Sequence, residues 1–544
     1  MTGRITNNAT TAGTGVLTVN SSVDTVFTGF LLDGAVAKVA LVKAGTGKLT
    51  LNKDSWLTGT TTIRGGTLEL AAGGLLSSSP IVLSGGTLAI GSNHAAGSLP
   101  STTASSGASA ITGSTIASAG KWSLGPLTRT AGSGATVDIT VPTSGSFTMT
   151  TANSSGTFLN GWTTLGGTDW ASVTSGTGVI AKYSGYIANF SGTDTTANFS
   201  GSTGGSFTGS GFNSVRVAVT GGAADWTIQS TKFTVGSGGI LVTPVVGTSP
   251  LSISNGTLTS GNGSDLILHQ YNPSATFTIN STITDNGATS IGFTKTGPGA
   301  LALTGANTYT GQTVINAGRL LANTPAVTGS ATGTGPVIVR RGGQLGGSGK
   351  IAGAVTVEDG GTISAGSISG TGTNAIDTIG TLTTGGQTWQ SGGTLRVKYA
   401  SGTASTSAGT GYDTLSMPTL NLSGLTTASG QFKIVVVKTA TGIFNAAQNA
   451  TLKLATIGSI TATAGGPALT ANTDLSQYFA LDTSSLGVEN SYSNIHFKVR
   501  TGSSGGDLLL FYDAVGQSAP EPTTMVLSLF GGAAVLGRRR RSVQ

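Results

Sequence analysis

Residues 295–320 read KTGPGALALTGANTYTGQTVINAGRL, and residues 43–68 align with them without a gap at an offset of 252. In each segment, Leu-x-Leu places two leucines on one face of a strand. The glycines that follow allow the chain to turn a corner, and Thr-x-Ile begins the next strand. Eleven of the 26 positions are identical, namely Lys43, Gly45, Gly47, Leu49, Leu51, Thr58, Gly59, Thr61, Ile63, Gly66 and Leu68 in the first copy. The repeat is therefore a unit of short strands joined by glycine corners.

Shorter stretches carry the second half of this unit alone, as strand, Gly-Gly and strand. They are residues 81–88, 337–345 and 355–363. A unit this small cannot bury its apolar face alone, so successive units must stack with their strands in parallel register. The sequence therefore predicts an all-β fold, a parallel β-helix of about 15 rungs that would form one rod roughly 70 Å long.

The segment from Lys295 to Leu320 resembles the autotransporter-associated β-strand repeat, above all at Asn307-Thr308-Tyr309-Thr310-Gly311. The copy at Lys43 departs there, with Ser55-Trp56-Leu57. The resemblance implies a right-handed β-helix of the kind found in extracellular passengers. It assigns the repeat core to Lys295, Gly297, Gly299, Leu301, Leu303, Asn307, Tyr309, Gly311, Ile315, Gly318 and Leu320.

Changes of rhythm along the chain predict five sections. Residues 1–100 read as N-terminal β-helix coils, 101–235 as an irregular β section rich in aromatic residues, and 236–400 as a regular β-helix with the repeat. Residues 401–514 read as a C-terminal β domain that closes the exposed edge of the solenoid, and 515–544 as a linker and tail. The aromatic, Thr and Asn side chains suit either internal ladders, which we favour, or carbohydrate binding.

The tail combines Pro520-Glu521-Pro522, an uncharged run over 525–536 and four arginines, Arg538, Arg539, Arg540 and Arg541. As a helix, the apolar stretch of about fifteen residues over 523–537 spans ~22 Å, less than the ~30 Å hydrocarbon core, so the arginines must help to anchor it on the cytoplasmic side. This order resembles the PEP-CTERM sorting signal of Gram-negative bacteria. The resemblance implies a short C-terminal apolar helix, an exosortase as partner, transient membrane contact through 523–537, and delivery to the cell surface or secretion.

The amino-acid composition excludes several kinds of binding site and partner. The chain has no cysteine, which excludes disulfides and thiolate metal sites. Its net charge of +7 is too dilute for a nucleic-acid partner, because the tail supplies three of those charges. No charged and apolar signal peptide is visible in the first eight residues, so we expect that the true start lies further upstream.

Candidate catalytic and metal-binding residues are sparse. His94, His269 and His496 lie in separate sections without metal-ligand spacing, and Glu358 and Asp359 sit together on a predicted turn. Residues 261–267 resemble a single calcium-binding nonapeptide, which one copy cannot complete. We therefore predict no catalytic residue, no metal and no cofactor.

These features predict a non-enzymatic extracellular surface or matrix protein, structural or adhesive in role, such as an adhesin or a biofilm matrix component. One alternative is a polysaccharide-binding or polysaccharide-modifying β-helix enzyme, which would require carboxylates from adjacent rungs to converge in a groove. A second is a fragment of an autotransporter passenger, which would require a membrane barrel at the C-terminus.

Overall fold

A computed structural model describes residues 3–92, 96–114, 120–149, 157–174, 176–190, 197–220, 224–325, 329–369, 376–400, 408–425, 430–439, 444, 450–486, 497–503 and 506–512. The strands form two solenoids, here named the first stack and the second stack. The first stack contains β1 Arg4–Thr6, β2 Thr14–Asn20, β3 Thr25–Phe27, β4 Phe30–Leu32, β5 Lys38–Ala44, β6 Lys48–Leu51, β7 Thr61–Ile63, β8 Thr67–Leu70, β9 Ile81–Leu83, β10 Thr87–Ile90, β11 Gly97–Ser98, β12 Thr102–Ala104, β13 Ala108–Gly113, β14 Lys121–Ser123, β15 Leu127–Arg129, β16 Thr136–Thr140, β17 Ser146–Thr148, β18 Thr157–Phe158, β19 Thr163–Leu165, β20 Asp169–Val173 and β21 Ile180–Lys182.

The second stack follows directly. It contains β22 Tyr186–Ile187, β23 Asn198–Gly201, β24 Gly205–Phe207, β25 Gly211–Phe212, β26 Ser214–Val217, β27 Ala224–Ile228, β28 Lys232–Val235, β29 Gly239–Val242, β30 Leu251–Ser254, β31 Thr257–Ser260, β32 Asp265–Gln270, β33 Phe277–Ile279, β34 Thr282–Ile283, β35 Gly292–Thr296, β36 Ala300–Leu303, β37 Thr313–Ile315, β38 Gly318–Ala322, β39 Val337–Val339, β40 Gly343–Gly346, β41 Val355–Val357, β42 Thr362–Ile363, β43 Ser367–Ser369, β44 Ile376–Thr378, β45 Thr381–Thr383, β46 Gln387–Trp389, β47 Thr394–Tyr399, β48 Thr414–Asn421, β49 Phe432–Lys438, β50 Ala450–Thr461, β51 Phe479–Asp482, β52 Phe497–Thr501 and β53 Leu508–Tyr512. Among the residues described, short 3₁₀ helices span Pro244–Val246, Ser476–Tyr478 and Ser484–Leu486.

Parallel sheets run the length of each stack. In the first stack they follow the orders β15-β12-β9-β7-β5-β2 and β19-β16-β13-β10-β8-β6-β3. In the second stack they run from β23 to β50 and from β24 to β51, with a third, short sheet β25-β28-β31-β34 on the first rungs. Within each stack, the strands of one rung therefore pair in parallel with those of the next. This confirms the predicted all-β fold of β-helix type.

Side-chain ladders fill the two interiors. Leu49 lies in register with Leu68, Leu68 with Leu88, and Leu88 with Ile111, and all four are buried. A matching ladder in the second stack joins Leu301, Leu320, Leu345 and Ile363. The two cores are separate, one between Leu31 and Ile180 and the other between Phe199 and Tyr512. Each stack is thus stabilised by burial of its own apolar column.

The expectation of one continuous rod is wrong. Antiparallel pairing of β19 with β20, and of β20 with β21, ends the parallel register of the first stack. The chain then reverses between Lys182 and Tyr186, inside the section predicted for 101–235. Contacts join Asp169 to Arg216, Arg129 to Asp265, and Ser133 to Arg340. The second stack therefore lies beside the first and runs in the opposite direction.

The C-terminal section extends the second stack before closing it. Strands β48, β49 and β50 pair in parallel with earlier rungs, and β49 and β53 cover the long strands predicted at 432–437 and 508–512. The antiparallel strands β52 and β53 then cover the free edge of β50. An antiparallel pair thus ends each stack and interrupts its row of unpaired backbone groups.

Candidate functional site

The two repeats form the same local arrangement of strands, one in each stack. Strands β5 and β7 place Lys43 opposite Ile63, and strands β35 and β37 place Lys295 opposite Ile315. Strands β6 and β8, like β36 and β38, bring the leucines of Leu-x-Leu and Gly-x-Leu into register. One repeat therefore builds two adjacent rungs of the β-helix.

The repeat lysine is completely buried in both copies. Nζ of Lys295 donates to the carbonyls of Thr296, Gly297 and Ala317 at 2.9, 2.8 and 3.0 Å. Nζ of Lys43 donates to the carbonyls of Ala44, Gly45 and Gly65 at 2.6, 3.3 and 3.2 Å. The lysine therefore ties the glycine corner of its own rung to the corner of the next.

Burial shifts the pKa of both repeat lysines. It lowers the pKa of Lys295 well below the ordinary value, and the nearby Arg319 guanidinium lowers it further. Burial also lowers the pKa of Lys43, against an opposing effect of Asp24. The carbonyl oxygens satisfy the donors without supplying a full negative charge, so the role of the lysine is to hold the corner.

The corner glycines are required by backbone geometry. Gly45 and Gly297 have φ of +73° and +78°, a region that L side chains rarely adopt. A Cβ at Gly45 would collide with the backbone of Ser21, and one at Gly297 with the backbone of Gln270. The glycines thus permit adjacent rungs to approach closely at the corner.

Asn307 and Tyr309, the most recognisable residues of the repeat, are buried between rungs. Oδ1 of Asn307 accepts from the Ile283 amide at 2.7 Å, and Nδ2 donates to the Ala331 carbonyl at 2.6 Å. The Tyr309 hydroxyl lies 2.6 Å from Oγ1 of Thr313. In the copy that departs from the pattern, Ser55 still accepts from the Leu31 amide, at 3.4 Å. The repeat core is therefore turned inward and joins rungs.

A pair of aspartates belongs to the same unit and was missed in the sequence. Asp285 accepts from the amides of Ile291 and Thr310 and from the Thr310 hydroxyl, at 2.8, 3.0 and 2.8 Å. Asp33 accepts from the amides of Val39 and Thr58 and from the Thr58 hydroxyl, at 2.7, 3.0 and 2.6 Å. The offset of 252 also relates these aspartates, so extending the alignment upstream of Lys43 would have found them.

A polar seam holds the two stacks together. Nη1 and Nη2 of Arg129 donate to Oδ1 and Oδ2 of Asp265 at 2.7 and 2.6 Å, and both side chains are almost fully buried. Further along, Nδ2 of Asn316 donates to the Gly134 carbonyl at 2.6 Å. The seam therefore relies on a bidentate ion pair, the geometry in which such pairs are strongest.

His269 lies in the same seam, fully buried, with Nε2 3.0 Å from the Gly161 carbonyl oxygen. The Trp170 indole meets its ring edge to face, with the centroids 5.4 Å apart. Burial lowers the pKa of His269 to about 4, so the imidazole is neutral at physiological pH. The other two histidines, His94 and His496, lie outside the residues that the structure describes.

The nonapeptide-like segment is occupied by internal hydrogen bonds. Oδ1 of Asn262 accepts from the amides of Ser264 and Asp265 at 2.8 and 3.1 Å. The Asp265 carboxylate binds Arg129 and also accepts from Thr294 at 2.6 Å. Within the described ranges, no three His, Asp or Glu side chains are placed to hold a metal ion together.

Both repeats match a known family. Residues 41–70 and 293–322 match the passenger-associated transport repeat. The second match spans every residue assigned to the repeat core, Lys295 to Leu320. The chain is also 33% identical over 285 residues to the adhesin BmaC autotransporter of Brucella suis biovar 1 (strain 1330). That alignment covers 48% of this chain and 8% of the relative, so the chain spans a small part of the protein that it matches.

The predicted sorting signal lies outside the described residues. It comprises Pro520, Glu521, Pro522 and the four arginines 538–541, together with the apolar stretch 523–537. In the part of the chain that the structure does describe, no helix combines the length and apolar character needed to cross a membrane. The C-terminal helix and the exosortase partner therefore stay predictions.

Proposed function

We propose that this chain is an extracellular, non-enzymatic protein of the cell envelope whose β-helical stacks serve adhesion or matrix structure. The observation that carries this function is the presence in each stack of one passenger-associated transport repeat with the same strand pairing. The relative from Brucella suis, named as an adhesin, supports the adhesive role. Close packing of short rungs also suits an extracellular protein without disulfides, because backbone pairing and apolar burial stabilise each stack in place of covalent cross-links.

We further propose that the C-terminal tail directs the chain to the surface as a substrate of an exosortase. The sequence Pro520-Glu521-Pro522 would be the recognition motif, and residues 523–537 would contact the membrane transiently before cleavage. The order of motif, apolar stretch and arginine block supports this route.

An autotransporter passenger is the second candidate, because the relative that aligns with 48% of this chain is itself named as an autotransporter. The two routes differ in one observable. Sorting by an exosortase removes the tail, whereas a passenger would reach the surface without that enzyme.

Fractionation of cells tests the surface function and the route together. The full chain carries an epitope inserted before Ala519 and is followed in cells with and without exosortase. The expected result is a shorter, surface-exposed form in wild-type cells and a longer, membrane-associated form without the enzyme. A matched variant with alanines at Arg538–Arg541 should also keep the longer form.

Each alternative outcome has a defined meaning. Unchanged size and surface exposure without exosortase would contradict the sorting route and favour the passenger. Retention of the protein in the cytosol of both strains would contradict the surface function itself. Adhesion is then measured as attachment of cells that display the full chain, compared with cells that lack it.

A further inference from the structure

A cleft of about 350 Å³ opens between the two stacks, next to the repeat at Lys43. The first stack contributes its glycine-rich corners, with the polar side chains of Arg64, Ser84 and Ser106. The second stack contributes a wall of charged and amide side chains, namely Arg340, Arg341, Glu358, Asp359 and Gln390. A Cβ at Gly65 would lie 3.9 Å from Nε of Arg341, so the walls nearly touch at one point. We name this space the inter-stack cleft.

One charged pair fixes the second wall. Nη1 of Arg340 donates to the Ser133 carbonyl of the first stack at 2.9 Å, and its Nε lies 3.8 Å from Glu358. Burial raises the pKa of Glu358, against the opposing effect of the Arg340 charge. Arg340 therefore joins the two stacks and positions the cleft.

The neighbouring charges face solvent. Arg341 pairs with Asp359, and their side chains are 43% and 60% exposed. An exposed pair of this kind is weak and can exchange partners for a ligand. Arg64 is exposed on the facing wall, and among the residues described its guanidinium has neither a hydrogen-bond nor an ion-pair partner. The cleft thus offers two accessible guanidinium groups beside accessible carboxylates.

We propose that the inter-stack cleft binds a uronic acid residue of an acidic polysaccharide. This assignment rests on the extracellular function proposed above. Arg64 and Arg341 bind the sugar carboxylate, because a planar guanidinium matches the two oxygens of a carboxylate. Asp359 accepts from the sugar hydroxyls, and Ser84 and Gln390 complete the hydrogen bonds. A volume of 350 Å³ lies at the lower end of small-ligand sites, which run from about 300 Å³ upward.

The composition of the cleft disfavours two other ligand classes. A phosphate monoester carries nearly two negative charges and would be repelled more strongly by Glu358 and Asp359 than a uronic acid, which has one charge and several hydroxyl donors. A neutral sugar would leave Arg64 without a role. Among the described lining residues there is also no aromatic ring on which a neutral sugar could stack.

Binding of defined oligosaccharides to the full chain tests this site. Isothermal titration compares an oligogalacturonate with a neutral galactose oligomer of the same length. Arg64→Ala removes one guanidinium from the cleft. The matched control is Arg4→Ala, which removes an exposed arginine on the first strand, β1. We expect Arg64→Ala to weaken oligogalacturonate binding roughly tenfold, because a hydrogen-bonded charge is lost, and Arg4→Ala to leave it unchanged.

Three outcomes would overturn the assignment. Equal binding of the neutral oligomer would remove the role of the carboxylate. Equal losses in both arginine variants would indicate diffuse attraction to the positive surface. Stronger binding of a sugar phosphate than of the uronate would assign the cleft to another class of ligand.

The cleft and the surface function can fail separately. Cells that display the full chain and adhere, while the purified chain binds no uronate, would refute only the cleft assignment. A chain that binds uronate in solution but stays in the cytosol of its own cells would refute only the surface function.

Discussion

Asp33 and Asp285 make the same three hydrogen bonds at places 252 residues apart, one in each stack. Each carboxylate accepts from a backbone amide six residues ahead and from the amide and hydroxyl of a threonine in the next rung. The carboxylate thus joins the Thr-Gly corner of the repeat to the coil before it. The repeating unit of this protein therefore begins about ten residues before Lys43 and Lys295.

Replacing Asp285 by alanine should destabilise the second stack by about 2 kcal/mol, because two amides and one hydroxyl lose their acceptor. Chemical unfolding of the full chain measures the loss. Asp225→Ala is the control, since among the described residues this exposed carboxylate accepts only from the Ser252 hydroxyl, at 2.7 Å. A similar loss in both variants would show that the three hydrogen bonds of Asp285 stabilise the chain no more than the single bond of Asp225.

The stability difference between wild type and Asp285→Ala should depend on pH. Burial alone would raise the pKa of Asp285, but the hydrogen bonds from Ile291 and Thr310 lower it overall. A carboxyl with a lowered folded-state pKa contributes stability above its ordinary pKa of about 3.9, and this contribution is lost as pH falls through the folded value. The difference between wild type and Asp285→Ala should therefore shrink below about pH 4. A constant difference down to pH 2 would contradict this.

Lys295→Met should separate the packing of the lysine from its hydrogen bonds. Methionine fills a similar volume but donates nothing to the carbonyls of Thr296, Gly297 and Ala317, so we expect a loss of about 1–3 kcal/mol at pH 9.5. Lys121→Met, at an exposed position, should be nearly neutral. Unfolding by denaturant measures both.

The pH effect of Lys295 has the same sign as that of Asp285 but lies at higher pH. Because burial lowers the pKa of Lys295, the unfolded chain binds the extra proton more readily than the folded chain. Wild-type stability relative to Lys295→Met should therefore rise with pH on the approach to the ordinary lysine pKa of about 10.4, by at most about 1.4 kcal/mol per pH unit. A falling or flat difference would mean that the buried amine keeps its ordinary pKa.

The fold class was predictable because the repeat specifies it locally. The leucines that Leu-x-Leu places on one face do lie in register between rungs, as Leu49 with Leu68 and Leu301 with Leu320. The glycine corners likewise have the positive φ that the sequence required, at Gly45 and Gly297. Local strand length and corner chemistry were sufficient to predict a β-helix.

The reversal of the chain was not predictable from the same signals. At Gly166 and Gly167 both residues have positive φ, a geometry that suits a tight antiparallel hairpin, and β20 returns along β19. At Gly85-Gly86 only Gly85 has positive φ, and the chain continues into the next parallel strand. The two glycine pairs look alike in sequence, so tertiary pairing decides between a corner and a reversal.

The polar seam and the cleft follow from that reversal and were hidden for the same reason. Arg129 and Asp265 are 136 residues apart, and no local pattern connects them. Glu358 and Asp359, which the sequence predicts on a turn, form with Arg340 and Arg341 a wall that faces Arg64 of the other stack. Long-range contacts of this kind need the relative position of the stacks.

A double-mutant cycle on Arg129 and Asp265 should reveal strong coupling between the stacks. Arg129→Met leaves a buried carboxylate without its bidentate partner, which typically costs 3–5 kcal/mol, and Asp265→Leu leaves a buried guanidinium. The double variant should lose less than the sum of the single losses. The exposed pair Arg341 and Asp359 serves as the control cycle, with an expected coupling below about 1 kcal/mol. Similar coupling in both cycles would contradict a special role for the buried pair.

His269 should make the contact between the stacks sensitive to acid. Its imidazole is buried against Gly161 and Trp170, and the charges that act on it are Arg129 and Lys295, which lower its pKa, and Asp265, which raises it. With a folded-state pKa of about 4, the folded chain binds this proton less readily than the unfolded chain, whose pKa is near 6.5. The contribution of neutral His269 to the free energy of unfolding is therefore greatest above pH 6.5 and falls as pH drops toward 4.

His269→Gln isolates this effect, because the Gln amide can still donate to the Gly161 carbonyl but does not titrate. Between pH 6.5 and 4 the wild type should lose roughly 3 kcal/mol more than the variant, measured as the free energy of unfolding. The proton signals of the His269 ring give an independent check, since they should titrate near pH 4 in the folded chain. Parallel stability curves, or a ring that titrates near 6.5, would show that water reaches the seam and that the two stacks are less tightly joined there.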